Sequence, residues 1–358
     1  MKPRDNFVMS DMFELDHLLE APPTEISPLE VADILKRRYG LIGRVRALSS
    51  ERDANFRVDA PGGPYLLKVT NPAEDPTVTD LQTAALRHLE RESPSLPVPR
   101  IIATADGMDQ PKEIFGKRPH VARLMTFMPG CPLGSVTGTS EIRSAVGSTL
   151  AQIDVGLRTF EHPASDHDLL WNAADALRLR GAIRFVNDAA KRRLADRTLD
   201  EYEEHTAPSL LRLRKQIIHN DFNPHNVLFE SATPFAVSGV IDFGDIILAP
   251  LVTDVSTALA YQDYERQSPL TVVSEVLRAY HRSMPLVPDE LDAILDLVRA
   301  RQVLVGVISA WRAAHQPGNG SYILRNSARA WAGLQALHNV SRHEFRRNLM
   351  QACEEKTD

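Results

Sequence analysis

Three polar residues at a fixed spacing, Asp221, Asn226 and Asp242, narrow the folds and functions open to this chain. The first two lie in a motif that begins at His219, and the third lies in an Ile-Asp-Phe-Gly-Asp segment that ends at Asp245. The transition state of phosphoryl transfer is loose, so a protein mainly positions the reacting groups and neutralises charge. A carboxylate beside the attacking hydroxyl and hard oxygen ligands for Mg²⁺ serve that chemistry. The spacing therefore indicates a site for phosphoryl transfer from a magnesium nucleotide.

The segments around these residues predict a strand–loop–strand arrangement. Residues 216–218, 227–229 and 236–241 are short apolar runs separated by polar turns. Asn226 and Asp242 are then expected at the edges of neighbouring strands, where they share a metal ion. Taken singly, such an Asp or Asn more often caps a loop or forms a turn. The complete set in this order favours a kinase-type site.

Composition limits the class of protein. A chain of 358 residues is long enough for two lobes, each with its own core. The formal net charge of −6 argues against a nucleic-acid partner, because nucleic-acid binders usually carry a basic patch. Two cysteines far apart in sequence disfavour a disulfide framework and fit a reducing compartment. Residues 1–20 lack the apolar core of a signal peptide, and no apolar segment is long enough to span a bilayer. We therefore expect a cytoplasmic protein without a membrane partner.

The first part of the chain predicts a β-rich lobe. Residues 1–26 are expected to form a tail, and residues 27–128 an N-terminal nucleotide-binding lobe. Ser27 and Glu30 form a capping box at the start of a helix that Gly40 ends. Five strands and a second helix follow: strands at residues 45–49, 55–58, 65–69, 100–103 and 121–126, and the helix at residues 77–91.

The second part predicts a mostly helical lobe. Residues 129–345 are expected to form the catalytic and substrate lobe, followed by a C-terminal tail at residues 346–358. Helical periodicity occurs in six segments: residues 142–160, 171–193, 251–264, 272–281, 290–315 and 322–339. The fold class is therefore α+β, with a hinge near residue 128 and a nucleotide cleft between the two lobes.

A single lysine, Lys68, lies among apolar residues on the predicted strand at residues 65–69. A structural lysine there would extend its ammonium group to solvent. With the phosphotransfer motif downstream, a phosphate-binding lysine is the better interpretation. Such a lysine usually pairs with a glutamate on the next helix, but that helix has Gln82 at the expected position and Asp80 as the nearest carboxylate upstream. The acidic partner of Lys68 stays open.

The predicted nucleotide-binding loop is unusual. Residues 49–56 lie between the first two strands and contain no glycine, so a glycine-rich phosphate loop is absent. Ser50 and Asn55 either bind phosphate oxygens or belong to an ordinary hairpin turn. Met125 and Phe127 lie along the hinge, where their main chain either binds the purine edge or packs in the core.

The motifs resemble those of the aminoglycoside phosphotransferase and choline kinase superfamily, small-molecule kinases with a protein-kinase-like two-lobe fold. The histidine motif of that superfamily, His-x-Asp-x-x-x-x-Asn, matches His219, Asp221 and Asn226, and its metal motif, Ile-Asp-x-x-Asp, matches Asp242 and Asp245. The resemblance implies Asp221 as the catalytic base, and Asn226 and Asp242 as Mg²⁺ ligands.

The resemblance to this superfamily covers about residues 25–345. Within it, the chain is most similar to the hydroxylysine kinase family. The similarity rests on residues 53–58, 65–69, 170–172 and 237–245, and on Tyr322 and Ile323 followed by Trp331. It implies a small hydroxylated acceptor, such as the amino acid 5-hydroxylysine, and ATP or GTP as the phosphoryl donor.

The sequence suggests roles for several further residues but leaves alternatives for some of them. His219 is expected to brace the catalytic loop rather than to transfer a proton. Asp245 supports either the loop or the surroundings of the metal, or it contacts the acceptor. Trp171, Asn172 and Arg301 are candidates for acceptor binding, although a tryptophan on a helix more often packs in the core.

Three rival functions remain. The first is a kinase of the same superfamily that acts on an aminoglycoside, homoserine, choline or a sugar. The second is a protein kinase, which is disfavoured because no Ala-Pro-Glu segment follows Asp242 and the helix at residues 251–264 leaves little room for an activation loop. The third is a non-catalytic nucleotide-binding module, which the intact base and metal positions disfavour.

Overall fold

A computed structural model describes residues 25–50, 52–230, 236–315 and 327–354. The first helix, α1 (Pro28–Tyr39), starts at the expected capping box, in which the Ser27 hydroxyl accepts a hydrogen bond from the backbone N–H of Glu30. Gly40 ends α1 in the left-handed conformation with φ of 64°, which a residue without a side chain adopts without strain. The predicted limits of this helix are confirmed.

The N-terminal lobe is built on an antiparallel sheet of six strands with the order β1-β2-β3-β6-β4, in which β5 also pairs with β6. The strands are β1 (Arg44–Leu48), β2 (Ala54–Ala60), β3 (Gly63–Val69), β4 (Ile101–Ile102), β5 (Lys112–Phe115) and β6 (Arg118–Thr126). Helix α1 covers part of this sheet and shares a small apolar core with β2, β3 and β6. Helix α2 (Pro76–Glu92) belongs instead to the large core that continues into the second lobe.

The C-terminal lobe is mostly helical. Its α-helices are α3 (Ser140–Leu157), α4 (Ala189–His205), α5 (Val252–Ala260), α6 (Pro269–Ser283), α7 (Pro288–His315), α8 (Ser327–His338) and α9 (Arg342–Glu354). A 3₁₀ helix at Ala173–Phe185 precedes α4. Helix α7 is buried along most of its length, because other helices surround it, and its buried residues include charged ones such as Arg301. Within the described residues, no helix is long and apolar enough to cross a membrane.

Two small sheets hold the motif segments in the second lobe. Their strands are β7 (Cys131–Pro132), β8 (Lys215–Ile218), β9 (Val227–Phe229), β10 (Val237–Val240) and β11 (Ile247–Pro250). One sheet has the order β10-β9-β7, and the other pairs β11 with β8. The histidine motif therefore connects β8 to β9, and the Ile-Asp-Phe-Gly-Asp segment connects β10 to β11.

The α+β, protein-kinase-like fold class is confirmed, but several elements differ from their predicted limits. Residues 171–193 do not form one helix, because the chain turns after the 3₁₀ helix and α4 starts anew with the Asp188 carboxylate as its N-cap. Helix α4 extends to residue 205, beyond the predicted limit. The short strand β11 was not predicted at all.

The C-terminal end of the described chain is helical where the sequence predicted a tail. Helix α9 continues through residues that the sequence assigned to a tail, because Leu349 and Ala352 are buried against the lobe. The predicted boundary at residue 345 therefore falls inside a helix. Almost all of the predicted N-terminal tail, and residues 322–326 of a predicted helix, lie outside the described residues. The division into lobes at residues 27 and 128 stays a prediction.

Candidate active site

The carboxylate of Asp221 is held from two sides. Its Oδ1 accepts a 2.9 Å hydrogen bond from Nη2 of Arg301. Its Oδ2 accepts 2.8 Å hydrogen bonds from the side-chain amides of Asn223 and Asn226. The Asp221 side chain keeps 20% of its surface exposed, so it remains accessible to a substrate while its orientation is fixed. A positioned carboxylate with open access is what a general base needs.

His219 joins the two sequence motifs. Its Nδ1 accepts the backbone N–H of Asp221 over 3.2 Å, which leaves Nε2 to donate to the carbonyl oxygen of Ile241 over 3.2 Å. The buried ring also packs edge to face against Phe243, with 4.7 Å between the ring centroids. Because both ring nitrogens are engaged with backbone, the geometry favours the bracing role over proton transfer.

Helix α5 supplies a carboxylate that the sequence analysis did not identify. Asp254 is fully buried, and its two oxygens accept the backbone N–H groups of His219 over 2.9 Å and Asn220 over 2.8 Å. Burial raises the pKa of Asp254, while His219 and the two N–H groups oppose that rise. Asn220 has φ of 62°, and the bonds to Asp254 hold this uncommon conformation. In the sequence, Asp254 could have been recognised as an aspartate within an apolar helix just after the metal motif.

Asp242 lies on the turn after β10 and has φ of 62°. Among the described non-glycine residues, Asn220 and Asp242 alone have positive φ, so the uncommon backbone is confined to the two motifs. Asp242 Oδ1 lies 3.4 Å from Nζ of Lys68. The charge of Lys68 lowers the pKa of Asp242. The side chain is 51% exposed, so a charged carboxylate faces the cleft.

The two candidate metal ligands lie at the ends of paired strands, as the sequence predicts. The backbone N–H of Ile241, next to Asp242, donates to the carbonyl oxygen of Asn226 over 2.9 Å. The Asn226 amide nitrogen is used by Asp221, which leaves the amide oxygen for a metal. The described residues contain no group of three or more His, Cys, Asp or Glu that could hold a metal ion. One carboxylate and one amide still fit Mg²⁺, which commonly takes few protein ligands when phosphates and water complete its coordination.

Lys68 is paired, but its partner is not on α2. Its Nζ lies 3.1 Å from Oδ2 of Asp53, a residue just before β2. Neither residue that the sequence considered fills this role. Asp80 pairs with His162 at 3.2 Å and also accepts a hydrogen bond from Gln110.

Gln82 binds a different cation. Its Oε1 accepts a 2.9 Å hydrogen bond from Nη2 of Arg123, and its Nε2 donates to the carbonyl oxygen of Gly244 over 3.3 Å. Arg123 lies on β6 directly opposite Lys68 in the strand pairing and is 2% exposed. Sequence reasoning missed Arg123, because one arginine on a strand carries no local signal of burial.

The other predicted nucleotide residues are partly engaged within the chain. The Ser50 hydroxyl donates to the carbonyl oxygen of Asp53. The side-chain oxygen of Asn55 is buried and has no hydrogen-bond partner in the described part of the chain. The backbone N–H of Phe127 donates to Pro64 over 3.0 Å, and Met125 is 5% exposed within the main core. At the hinge, this geometry favours core packing over binding of the purine edge.

The candidate acceptor residues gather around Arg301, which is 1% exposed. Its guanidinium donates to the carbonyl oxygen of Trp171 and, over 3.3 Å, to the hydroxyl of Tyr261. It also lies over both aromatic rings, 5.4 Å from the Trp171 centroid and 5.6 Å from that of Tyr261. Arg301 therefore sits behind Asp221 and not on the substrate surface. The Asn172 side chain, 6% exposed, caps the 3₁₀ helix through Ala174, so burial argues against direct acceptor binding there too.

A cavity of about 240 Å³ lies beside this cluster. Its lining includes Pro224, His225, Ala260, Tyr261, Val305 and Arg329. The cavity adjoins the loop at residues 219–226, which carries Asp221, so it is the candidate binding space for the acceptor.

Asp245 is the remaining carboxylate near the base. Burial, followed by the charge of Asp221, raises the pKa of Asp245 to about 7, while Arg52 and Arg301 oppose the rise. In the described part of the chain, the Asp245 carboxylate makes no hydrogen bond or ion pair. A partly buried carboxylate of this kind is well suited to a cation from outside the chain.

These lobes and this site define a phosphotransferase of the small-molecule kinase class with a hydroxyl acceptor. A family model described as the phosphotransferase enzyme family matches residues 44–294, and the chain belongs to this family.

Individual similarities agree with the family. Hydroxylysine kinase from Danio rerio is 28% identical over 344 residues, covering 92% of this chain and 96% of that protein. Among solved structures, a microcompartment-associated aminopropanol kinase matches with a TM-score of 0.66 and 18% identity, over 86% of this chain and 99% of the other. An amicoumacin kinase in complex with AMP-PNP, Ca²⁺ and Ami matches with a TM-score of 0.65 and 14% identity, over 94% and 99% of the two chains. At these sequence identities, the structural matches show the fold alone.

Proposed function

We propose that this protein transfers the γ-phosphoryl group of ATP or GTP to the hydroxyl of a hydroxy amino acid such as 5-hydroxylysine. The observation that carries the proposal is the fixed carboxylate of Asp221, held by Arg301 and Asn226 next to the Asp242 turn. The names of similar proteins support the choice of acceptor, and the two cysteines, which are free, fit a cytoplasmic setting.

In the proposed reaction, the acceptor hydroxyl lies against Asp221. Asp221 takes its proton as the new O–P bond forms and the bond from the γ-phosphorus to the bridging oxygen breaks, so that ADP or GDP leaves. Lys68 neutralises charge on the nucleotide phosphates. Asp242 and Asn226 are the residues that would hold Mg²⁺, which when bound neutralises charge on the nucleotide phosphates.

The acceptor is proposed to lie in the cavity beside Tyr261, within reach of Asp245. A hydroxy amino acid carries ammonium groups, and Asp245 makes no ion pair within the described residues, although the charges of Arg52 and Arg301 lower its pKa. An ammonium group there would offset the burial of that carboxylate. This match supports an amino-bearing acceptor over a neutral sugar.

A coupled assay that detects ADP or GDP tests the proposal. The purified protein is given Mg²⁺, either ATP or GTP, and one acceptor at a time: 5-hydroxylysine, homoserine, choline, an aminoglycoside or a sugar. We expect turnover with 5-hydroxylysine and one or both nucleotides. Turnover with another acceptor alone would replace the proposed substrate. A thermal shift with magnesium nucleotide but no turnover on any acceptor would favour the non-catalytic module.

A further inference from the structure

We propose that Asp53 is the acidic residue that positions Lys68, so that the phosphate-binding lysine takes its partner from the loop before β2 and not from helix α2. The inference rests on the proposed function, since it concerns how the nucleotide phosphates are bound. Asp53 is a positioning residue in this account, because it acts through Lys68.

The contact is short and sheltered. Oδ2 of Asp53 lies 3.1 Å from Nζ of Lys68, and the two side chains are 19% and 15% exposed. Oδ1 of Asp53 accepts the backbone N–H of Asn71 over 2.9 Å. The Asn71 side chain in turn donates to the carbonyl oxygen of Arg52 over 3.2 Å. The Asp53 carboxylate therefore joins the start of β2 to the chain just beyond the end of β3. This anchoring gives Lys68 a partner in a fixed position.

Burial opposes ionisation of Asp53, but Lys68 and the N–H of Asn71 outweigh it and lower the pKa of Asp53. Both partners are charged at neutral pH, and their attraction is strengthened by limited access of water.

Asp242 does not replace Asp53 in this role. Its carboxylate is farther from Lys68, at 3.4 Å, and its side chain is 51% exposed. It is also the candidate metal ligand, so bound Mg²⁺ would compete with Lys68 for its charge. In the described part of the chain, Lys68 is the single ion-pair partner of Asp53.

Gln82 explains why α2 does not provide the acid. The amide accepts from Arg123 with one atom and donates to the carbonyl oxygen of Gly244 with the other. A glutamate at this position could accept from Arg123, but an ionised carboxylate has no proton to donate to Gly244. The amide thus ties α2 to the Asp242 turn, and the acid that Lys68 needs comes from another element.

The test compares Asp53→Asn with Asp59→Asn. Asp59 is a matched control on β2, where it pairs with Arg46 and Arg57 at the surface. We expect Asp53→Asn to weaken binding of Mg·AMP-PNP, measured by calorimetry, and to lower kcat/KM for the nucleotide by roughly 10²-fold, the scale of a misplaced reacting group. The KM for the acceptor should stay unchanged. Asp53→Glu, which keeps the charge, should recover part of the loss.

A double-mutant cycle identifies the route of the effect. In a Lys68→Met background, Asp53→Asn should cause little further loss of nucleotide affinity, because the two residues act as a unit. If Asp53→Asn does not fold, the same cycle is run with Asp53→Ser, which also removes the charge. Adding Gln82→Glu to Asp53→Asn should not rescue binding, because Arg123 engages the new carboxylate.

The outcomes separate the inference from the proposed function. If the native protein binds Mg·AMP-PNP and Asp53→Asn behaves like Asp59→Asn, the inference is overturned and the proposed function stands. The inference is also overturned if Asp53→Asn weakens nucleotide binding as much in the Lys68→Met background as it does in the native protein. If the native protein binds nucleotide but phosphorylates no acceptor, the proposed function fails while the binding measurements still decide the role of Asp53. Native protein that binds no nucleotide would overturn both.

Discussion

Arg301 Nη2 lies 2.9 Å from Oδ1 of Asp221, so a buried arginine of α7 sets the orientation of the candidate base. The same guanidinium donates to the carbonyl oxygen of Trp171 and the hydroxyl of Tyr261. Burial would lower the pKa of Arg301, but Tyr261, Asp221 and Asp245 outweigh it, and the pKa is raised. The arginine therefore stays charged, and its planar fork links the base to the wall of the acceptor cavity.

Arg301→Lys is expected to lower kcat by roughly 10- to 10²-fold, which corresponds to losing a charged hydrogen bond of about 1.5–3 kcal/mol. A lysine carries a point charge and cannot reproduce the guanidinium contacts with Asp221, Trp171 and Tyr261 together. Steady-state kinetics at saturating nucleotide and acceptor measure the change. Arg346→Lys is the control, since Arg346 pairs with Asp292 at the surface. An unchanged kcat in Arg301→Lys would contradict the role assigned to the ion pair.

Asp221→Asn is expected to lower kcat by roughly 10²–10⁴-fold, the usual range for loss of a positioned base. The amide keeps the size of the side chain but cannot accept the acceptor's proton. Nucleotide binding should survive, and the thermal shift with magnesium nucleotide measures that separately. Asp292→Asn, on an exposed aspartate, serves as the control. Near-native turnover in a folded Asp221→Asn protein would remove Asp221 from its role.

The local part of this site could be predicted from the sequence, and the distant part could not. Asp221, Asn226 and His219 lie within eight positions of one another (219–226), so their spacing alone places them on one loop. Arg301 reaches Asp221 from 80 positions away, and nothing in the sequence near either residue encodes that contact. Asp53 is a similar case, because the pairing of β2 with β3 brings it to Lys68.

In the fold, too, elements with a strong local pattern were predicted better than elements that depend on distant contacts. Helix α6, which has a clear apolar face, was predicted close to its limits. Helix α4 is rich in charged residues and buries few side chains, so its pattern was too weak to separate it from the 3₁₀ helix before it. Strand β11 is four residues long and ends in a proline, and only its pairing with β8 makes it a strand.

Asp242→Asn is expected to lower kcat by roughly 10²–10³-fold, as for other losses of preorganised charge at a reacting group. The amide oxygen can still accept the N–H of Gly244, so the turn should keep its shape while the charge is lost. Nucleotide affinity measured across a series of Mg²⁺ concentrations should show a higher Mg²⁺ requirement than the native protein. If the Mg²⁺ dependence is unchanged, Asp242 is not a metal ligand.

Gly147→Ala is expected to destabilise the protein by about 1–3 kcal/mol, because α3 and α6 cross closely at this point. A Cβ on Gly147 would overlap the backbone carbonyl oxygen of Val276, which cannot move without displacing α6. Gly181→Ala, at an exposed position of the 3₁₀ helix, is the matched control, since a Cβ there meets no atom within 4 Å. Urea unfolding of both variants measures the difference. Equal stability of the two would show that the helices can separate without cost.

Asp245→Asn is expected to change how stability depends on pH. The folded state raises the pKa of Asp245 from an ordinary value of 3.8 to about 7, so the folded protein binds a proton between these values that the unfolded chain releases. The resulting stabilisation is fully present below the ordinary value, and it is lost as pH rises through the folded value. An asparagine does not titrate, so this decline should be absent from the variant.

The melting temperature of the native protein and of Asp245→Asn, measured in steps from acidic to mildly alkaline pH, tests this expectation. The variant should gain stability relative to the native protein as pH rises toward neutrality, and the gap should then level off, because Asp245 is fully ionised above its folded pKa of about 7. Asp292→Asn, on an exposed aspartate, controls for the loss of one surface charge. Native and Asp245→Asn profiles that run parallel would contradict the raised pKa. An added amino-bearing acceptor should narrow the gap, since its ammonium would stabilise the ionised carboxylate of the native protein alone.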